Sequence, residues 1–268
     1  YDSANVKYLE VNPYEAAAGK LLANFTLFSR IVTTYAVLGR TAEKFPNLSY
    51  EALRSVISSD PRIGSWGLYD SLFSGGSCFI KDAASLAFQF EGAGHDPELV
   101  RKILAENNHQ LELFFDRAVT EARFDWKGKN LAVLGAAFKQ DTNDIRNSGS
   151  ILFIEKALAA GAESVTIFDP AASGMCEWYF NPAKKPEYAR VKIVNSIAEA
   201  LTSSQVLLLG TDWAMFRSSA EEIMQSVKPP YLIMDGRRLL AARFAELTEA
   251  GFDIISVGSP FYPANRKG

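Results

Sequence analysis

The sequence predicts an α/β protein. A helical central domain with one long helix, residues 1–126, precedes a doubly wound parallel-sheet (Rossmann-like) domain, residues 127–268. Three observations predict this. Residues 14–44 contain no proline, and Leu21, Leu22, Phe25, Phe28, Ile31, Val32 and Tyr35 recur at helical spacing. The pattern changes at Asp125-Trp126-Lys127-Gly128-Lys129. Beyond it, short apolar runs alternate with helical segments, as in a parallel sheet covered on both faces.

Residues 1–11 alternate loosely through Val6, Tyr8, Leu9 and Val11 and are expected to form a strand. Asn12-Pro13 reads as an N-cap followed by proline at the first helical position. It opens the long helix, which ends before Phe45-Pro46-Asn47. Ser49 caps a second helix with Glu51 in its first turn. Asp60-Pro61-Arg62-Ile63-Gly64 is a turn, and a Gly/Ser-rich loop over 64–77 leads into another helix. Asp96-Pro97 opens a further long helix that runs to about Arg123. In the second half, strands are expected at 130–135, 164–168, 206–209, 231–234 and 252–257. Helices are expected at 150–160, around 197–201, near 214–227 and at 240–250. Residues 171–190 carry Gly174, Pro182 and Pro186 without clear periodicity and read as a loop or insertion.

Composition narrows the function. The 268 residues are 48% hydrophobic and 22% charged, as in a soluble globular protein. A net charge of -3 without a basic run gives no reason to expect nucleic acid or an anionic membrane as partner. No apolar run is read as approaching the roughly 20 residues that span a bilayer. Tyr1-Asp2-Ser3-Ala4-Asn5 lacks the features of a signal peptide. Two cysteines make no disulfide framework, so a cytoplasmic protein in a reducing compartment is expected. With only His95 and His109, neither a zinc site nor a His-based triad is expected.

The chemistry is placed at Gly75-Gly76-Ser77-Cys78-Phe79-Ile80-Lys81-Asp82. Two flexible glycines lead into a thiol, and Cys78 and Asp82 share a helix face at i and i+4. Unpaired amides at a helix start favour a thiolate; the bland alternative is a packed core thiol. Lys20 and Asn24 share a face of the long helix in the same way, although a helical lysine is usually just solvated. In a doubly wound sheet, ligands bind beyond the carboxyl ends of the strands. Those ends carry Lys139, Asp141, Asp144 and Arg146, then Asp169-Pro170, Thr211-Asp212-Trp213 and Asp235-Gly236-Arg237-Arg238. Lys139, Arg146 and Arg237 are expected to meet in one crevice, where they suit phosphate; surface ion pairs are the other reading. The first strand is followed by Gly135-Ala136-Ala137-Phe138, without the Gly-x-Gly-x-x-Gly of a dinucleotide fold.

These motifs, in this order, resemble those of the UDP-glucose/GDP-mannose dehydrogenase family. The resemblance rests on Gly75–Asp82, on the run from Leu134 through Lys139-Gln140-Asp141-Thr142-Asn143-Asp144-Ile145-Arg146-Asn147-Ser148, and on Lys20-Leu21-Leu22-Ala23-Asn24. Asp169-Pro170, Thr211-Asp212-Trp213 and Asp235-Gly236-Arg237-Arg238 complete it, and it spans residues 15–258. It implies a four-electron oxidation of a UDP-sugar C6 alcohol to a carboxylate, with NAD as cofactor. Cys78 would be the nucleophile, Asp82 would assist proton transfer or orient the hydrolytic water, and Lys20 and Asn24 would steady an oxyanion. Lys139, Arg237, Gly75 and Gly76 would contact the sugar nucleotide, and Arg146 and Lys81 the cofactor. Arg62 would reach a neighbouring subunit's site, implying a homodimer through the central helices.

Departures from the family's pattern carry their own expectations. The chain begins just after the place of the family's N-terminal NAD-binding domain, so a fragment or a protein without that domain is expected. Phe73-Ser74 stands where the family has Gly-Phe, and Tyr35 where it has Asn; each added aromatic is expected to reshape the sugar pocket. A non-catalytic module for binding nucleotide sugars or for dimerisation is the alternative function.

Overall fold

The computed structural model describes residues 8–265. Asn12 begins the fold as expected. Its side chain accepts the Tyr14 and Glu15 amides while Glu15 reaches back to the Asn12 amide, a closed capping box with Pro13 at the first position. The strand expected at 1–11 is absent over residues 8–11, which are exposed and irregular; the remainder of that expectation lies outside the described residues.

Helix α1 (Pro13–Thr33) runs into a π-helical segment, Thr34–Gly39, and then α2 (Arg40–Lys44). The expected single helix therefore contains a widened turn. Its cause is visible at both ends: Thr34 Oγ1 donates to Arg30 O (2.9 Å) and to Gly67 O (3.0 Å), and Gly39 lies against the Asp70 carboxylate. The helix Pro13–Lys44 is long and apolar enough to cross a membrane by length and composition, contrary to the reading of the apolar runs. Its apolar stripe is used internally instead. Phe28, Val32 and Tyr35 are fully buried against α4 (Ser77–Gly92) and α5 (Glu98–Thr120). The short helix α3 (Tyr50–Ser58), capped by Ser49, crosses beside the widened turn.

The second half is a six-stranded parallel sheet ordered β3-β2-β1-β4-β5-β6. Its strands are β1 (Asn130–Leu134), β2 (Ser164–Phe168), β3 (Val191–Ile193), β4 (Val206–Leu209), β5 (Tyr231–Asp235) and β6 (Phe252–Ser256). Alternation puts Leu131 and Val133 on one face and Ala132 and Leu134 on the other, so each face has its own core. The first face, covered by α6 (Gly149–Ala159), continues into the helical half: Phe115 stacks on Trp126 with ring centres 4.8 Å apart, and both pack on Phe153.

Residues 171–190 are not a loop. They hold α7 (Ser173–Tyr179) and a 3-10 turn at Pro186–Arg190, and they deliver edge strand β3, which the sequence reading missed. Cys176, Phe180 and Tyr188 are buried in the core, and Glu155 Oε1 accepts from the Tyr179 and Tyr188 hydroxyls and from Lys185. A seven-residue helix and a three-residue strand are too short to show periodicity. The other elements stand where expected, with α8 at Ile197–Leu201. The helix near 214–227 is broken into α9 (Ala214–Arg217) and α10 (Ala220–Ser226), and that at 240–250 narrows to α11 (Phe244–Glu249) after a 3-10 turn.

Candidate active site

The cysteine helix starts on Gly76, whose φ of 92° suits glycine. A Cβ on Gly75 would lie 2.4 Å from Asn147 O, and one on Gly76 would lie 3.0 Å from the Phe138 ring. The two glycines thus let the chain press onto the loop after β1. Asn147, itself left-handed at φ 49°, donates from Nδ2 to Gly76 O at 3.3 Å. Cys78 follows in the first turn of α4 and is exposed; the packed-thiol reading belongs to Cys176, which is buried.

Lys20, Asn24 and Asp82 are brought together. Lys20 Nζ donates to Asn24 Oδ1 (2.9 Å), Asn24 Nδ2 donates to Asp82 Oδ2 (2.5 Å), and Lys81 Nζ lies 2.7 Å from Asp82 Oδ1. Asn24 and Asp82 are buried, so α1 is tied to the cysteine helix by a polar chain across apolar packing. The hydrogen bond from Lys81, then that from Asn24, holds the Asp82 carboxyl below the usual carboxylate range. It stays ionised at neutral pH. Arg146 is exposed and ion-paired to Asp144 at 2.8 Å. The Asp82 carboxylate raises the Lys81 pKa and that of Asp144 raises the Arg146 pKa, so both cations keep their charge.

The crevice at the strand-order reversal between β1 and β4 is filled by the protein itself. Asp169, after β2, accepts the Ala136 and Ala137 amides on Oδ2 (2.8 and 3.0 Å) and those of Ala171 and Ala172 on Oδ1. The amides that could cradle a pyrophosphate are already taken. The Leu72 amide donates to Gly236 O (3.0 Å), and the Leu72 side chain sits where a Cβ on Gly236 or Gly149 would fall, at 2.2 and 2.8 Å. This sheet therefore offers no turn of its own to a dinucleotide.

The open space lies farther along the strand ends. A cavity of about 580 Å³ is lined on the sheet side by Lys139, Asp212, Arg217, Arg237 and Arg238, and on the helical side by Tyr50, Arg54, Tyr69 and Asp70. Lys139 and Arg237 meet here as expected; Arg146 does not. The loop after β1 turns at left-handed Asp141 (φ 59°) and again at Asn147, and Arg146 between them pairs with Asp144. Arg237 Nε donates to Gly210 O (2.9 Å) and Nη2 to Phe138 O (3.0 Å), and among the described residues no carboxylate pairs with it. Burial pushes its pKa down, against the opposing charge of nearby Asp212. Phe138, which sequence reasoning passed over, joins the two halves: its carbonyl receives Arg237 and its ring lies under Gly76.

Arg62 is not brought to this cavity. It is exposed, forks onto Asp60 (Nε 3.0 Å, Nη2 2.6 Å), and borders a separate groove of about 620 Å³ along α1. Phe73 and Tyr35 both turn inward. Phe73 is buried in the sheet-side core, and the buried Tyr35 hydroxyl donates to Asn107 Oδ1, which also accepts the Ser74 amide at 2.8 Å. Both aromatics point inward because burying a ring outweighs leaving it at a wet site. Sequence reasoning also missed Arg54, Tyr69 and Asp70. Their only signal is proximity to the turn at Asp60, and no motif marks them.

Two sequence profiles match this architecture. Residues 132–242 match the UDP-glucose/GDP-mannose dehydrogenase family's UDP binding domain, and residues 14–109 match its central domain. The chain belongs to the UDP-glucose/GDP-mannose dehydrogenase family. Among curated proteins it is 34% identical to a UDP-glucose 6-dehydrogenase of Pseudomonas aeruginosa, over 92% of this chain and 53% of the relative. It is 31% identical to the UDP-glucose 6-dehydrogenase of Bos taurus, over 94% of this chain and 52% of that one. The chain thus spans about half the length of these curated relatives. In fold it resembles a UDP-glucose dehydrogenase from Pyrobaculum islandicum, with a TM-score of 0.76 at 23% identity, covering 91% of this chain and 52% of that one. In this UDP-glucose/GDP-mannose dehydrogenase family member, the gap between the two matched segments, residues 110–131, contains the passage from α5 to β1.

Proposed function

We propose that this chain is the central and UDP-binding part of an NAD-dependent UDP-glucose 6-dehydrogenase, which makes UDP-glucuronate. The observation that carries the reading is Arg237: a guanidinium bound to two backbone carbonyls and, among the described residues, to no carboxylate, in a cavity joined through Phe138 to the Cys78 helix. Such a cation suits the diphosphate of a sugar nucleotide. NAD would supply the hydride acceptor for both oxidations, two molecules being reduced in succession for each UDP-glucose. This chain supplies the rest. The Cys78 sulfur adds to the C6 aldehyde, giving a tetrahedral carbon that can lose hydride to leave a thioester. Lys20 and Asn24 steady the developing oxyanion. Ionised Asp82, held by Asn24 and Lys81, orients the water that releases carboxylate and free thiol.

The remaining roles follow the same reading. Lys139 contacts the diphosphate, and Gly75 and Gly76 let the backbone approach the sugar. Arg146 and Lys81 meet the cofactor. Two unpaired cysteines, one of them exposed, support a cytoplasmic setting. The groove along α1, with Val37 and Ile63 exposed, supports a homodimer through the central helices, into which Arg62 would project. A non-catalytic binding module is the second reading, favoured by Asp169 closing the sheet's own pyrophosphate turn.

UDP should bind this chain in calorimetry, and Arg237→Ala should abolish the heat. In the complete protein, Cys78→Ser should cut UDP-glucose-dependent NADH formation by roughly a thousandfold. Unchanged turnover would remove the cysteine from the reaction, and UDP binding without any turnover would favour the second reading.

A further inference from the structure

The charge balance of the 580 Å³ cavity identifies a ligand contact that no motif marks. Five cations line it (Arg54, Lys139, Arg217, Arg237 and Arg238) with three carboxyls, Glu51, Asp70 and Asp212. Two carboxylates are engaged: Glu51 with Arg238 and Asp212 with Arg217, each at 2.5 Å. The third, Asp70, is buried, its Oδ2 has no hydrogen-bond partner among the described residues, and burial pushes its carboxyl well up. Among the described residues, Arg54, Lys139 and Arg237 have no ion-pair partner. Three uncompensated cations from two domains thus surround one space, more than the other carboxyls can neutralise.

Their placement differs. Lys139 and Arg237 stand at the ends of β1 and β5, on the sheet side. Arg54 projects from the middle of α3, on the helical side, one turn beyond Tyr50 and Glu51. A pyrophosphate carries charge on two phosphorus centres, and cations on opposite walls can each take one. Resting on the sugar-nucleotide reading above, we propose that Arg54 is a phosphate-binding residue. It grips the diphosphate of the UDP-sugar from the helical domain while Lys139 and Arg237 hold it from the sheet. The substrate then completes an electrostatic bridge across the domain seam, and α3 is part of the binding site.

Calorimetry on this chain, with UDP and uridine as probes, tests it. Wild type should bind UDP more tightly than uridine. Arg54→Ala should weaken UDP about tenfold and leave uridine unchanged, as expected for losing one charge-assisted contact. Arg54→Lys should recover part of the loss, because it keeps the charge but not the fork. The slope of log Kd for UDP against log salt should fall in Arg54→Ala. Arg54 is solvent-exposed, so the variant should fold, and its circular dichroism should match wild type. Equal UDP affinity in wild type and Arg54→Ala, with Arg237→Ala still abolishing binding, overturns the Arg54 assignment alone. A parallel loss of UDP and uridine also overturns it, because the contact would then not be to phosphate. Absence of UDP binding in wild type overturns the assignment together with the nucleotide reading.

Discussion

At the scale of single residues, the two cysteines divide the possible roles of a thiol between them. Cys78 is exposed at the start of a helix; Cys176 is enclosed, and burial pushes its pKa up to about 12. Iodoacetamide at pH 8 should therefore modify one residue per native chain, and peptide mapping should find the label on Cys78. Labelling of Cys176 at a comparable rate would contradict the packing of α7 against the sheet. Asp82 is the residue-scale counterpart. Its carboxylate is the end of a chain from Lys20 through Asn24, so the Lys20/Asn24 pair on one helix and Asp82 of the pair on the other form one hydrogen-bonded unit. Each pair was legible alone because helical spacing is rigid. Their junction, 58 residues apart in sequence, was not.

At the scale of elements, the loop before the cysteine helix is held by contacts that tolerate little change. An L side chain at Gly76 must adopt φ 92° and meet the Phe138 ring, which should cost about 1–3 kcal/mol. Urea titration of Gly76→Ala should show that loss, together with a slower alkylation of Cys78. Leu72→Ala, which empties the site against Gly149 and Gly236, should cost about 2–5 kcal/mol and reduce UDP affinity. A neutral Leu72→Ala would mean the segment does not wedge the strand ends. The long helices and five of the six strands could be read from periodicity and from Pro, Gly and Ser punctuation. The π-helical turn could not, because it answers to Gly67 and Asp70, outside its own residues. Nor could α7 and β3, whose lengths fall below one useful period.

At the scale of the whole molecule, the seam between helical and sheet halves carries its own acid–base behaviour. Arg117 binds Ser256 O and Ser259 O and faces Glu43; Arg238 binds Glu51 and Val257 O. Between them Asp70 is enclosed, one oxygen wedged where Cβ atoms on Gly39 and Gly258 would fall, with no hydrogen-bond partner among the described residues. Burial, then the charge of Glu43, raises its pKa, and burial raises that of Glu43. A carboxyl whose folded pKa is raised contributes stability below its unfolded value of about 3.9, lost as pH rises through the folded value. Asp70→Asn stays neutral and escapes that loss. Its melting temperature relative to wild type should therefore be higher at pH 8 than at pH 4, by about 3 °C. A difference independent of pH would show that Asp70 is ionised in the folded protein.

The Leu72 wedge also bears on inheritance. Many sheets of this strand order are self-sufficient cassettes, able to pass from one protein to another with their ligand site intact. This one cannot travel that way. Its switch-point crevice is occupied by a segment encoded before it, and the wall opposite Arg237 belongs to α3. A gene rearrangement cutting between α5 and β1 would transfer a sheet with a hole where Leu72 had been and one wall of the 580 Å³ cavity. Descendants of this arrangement are therefore expected to keep both halves on one polypeptide.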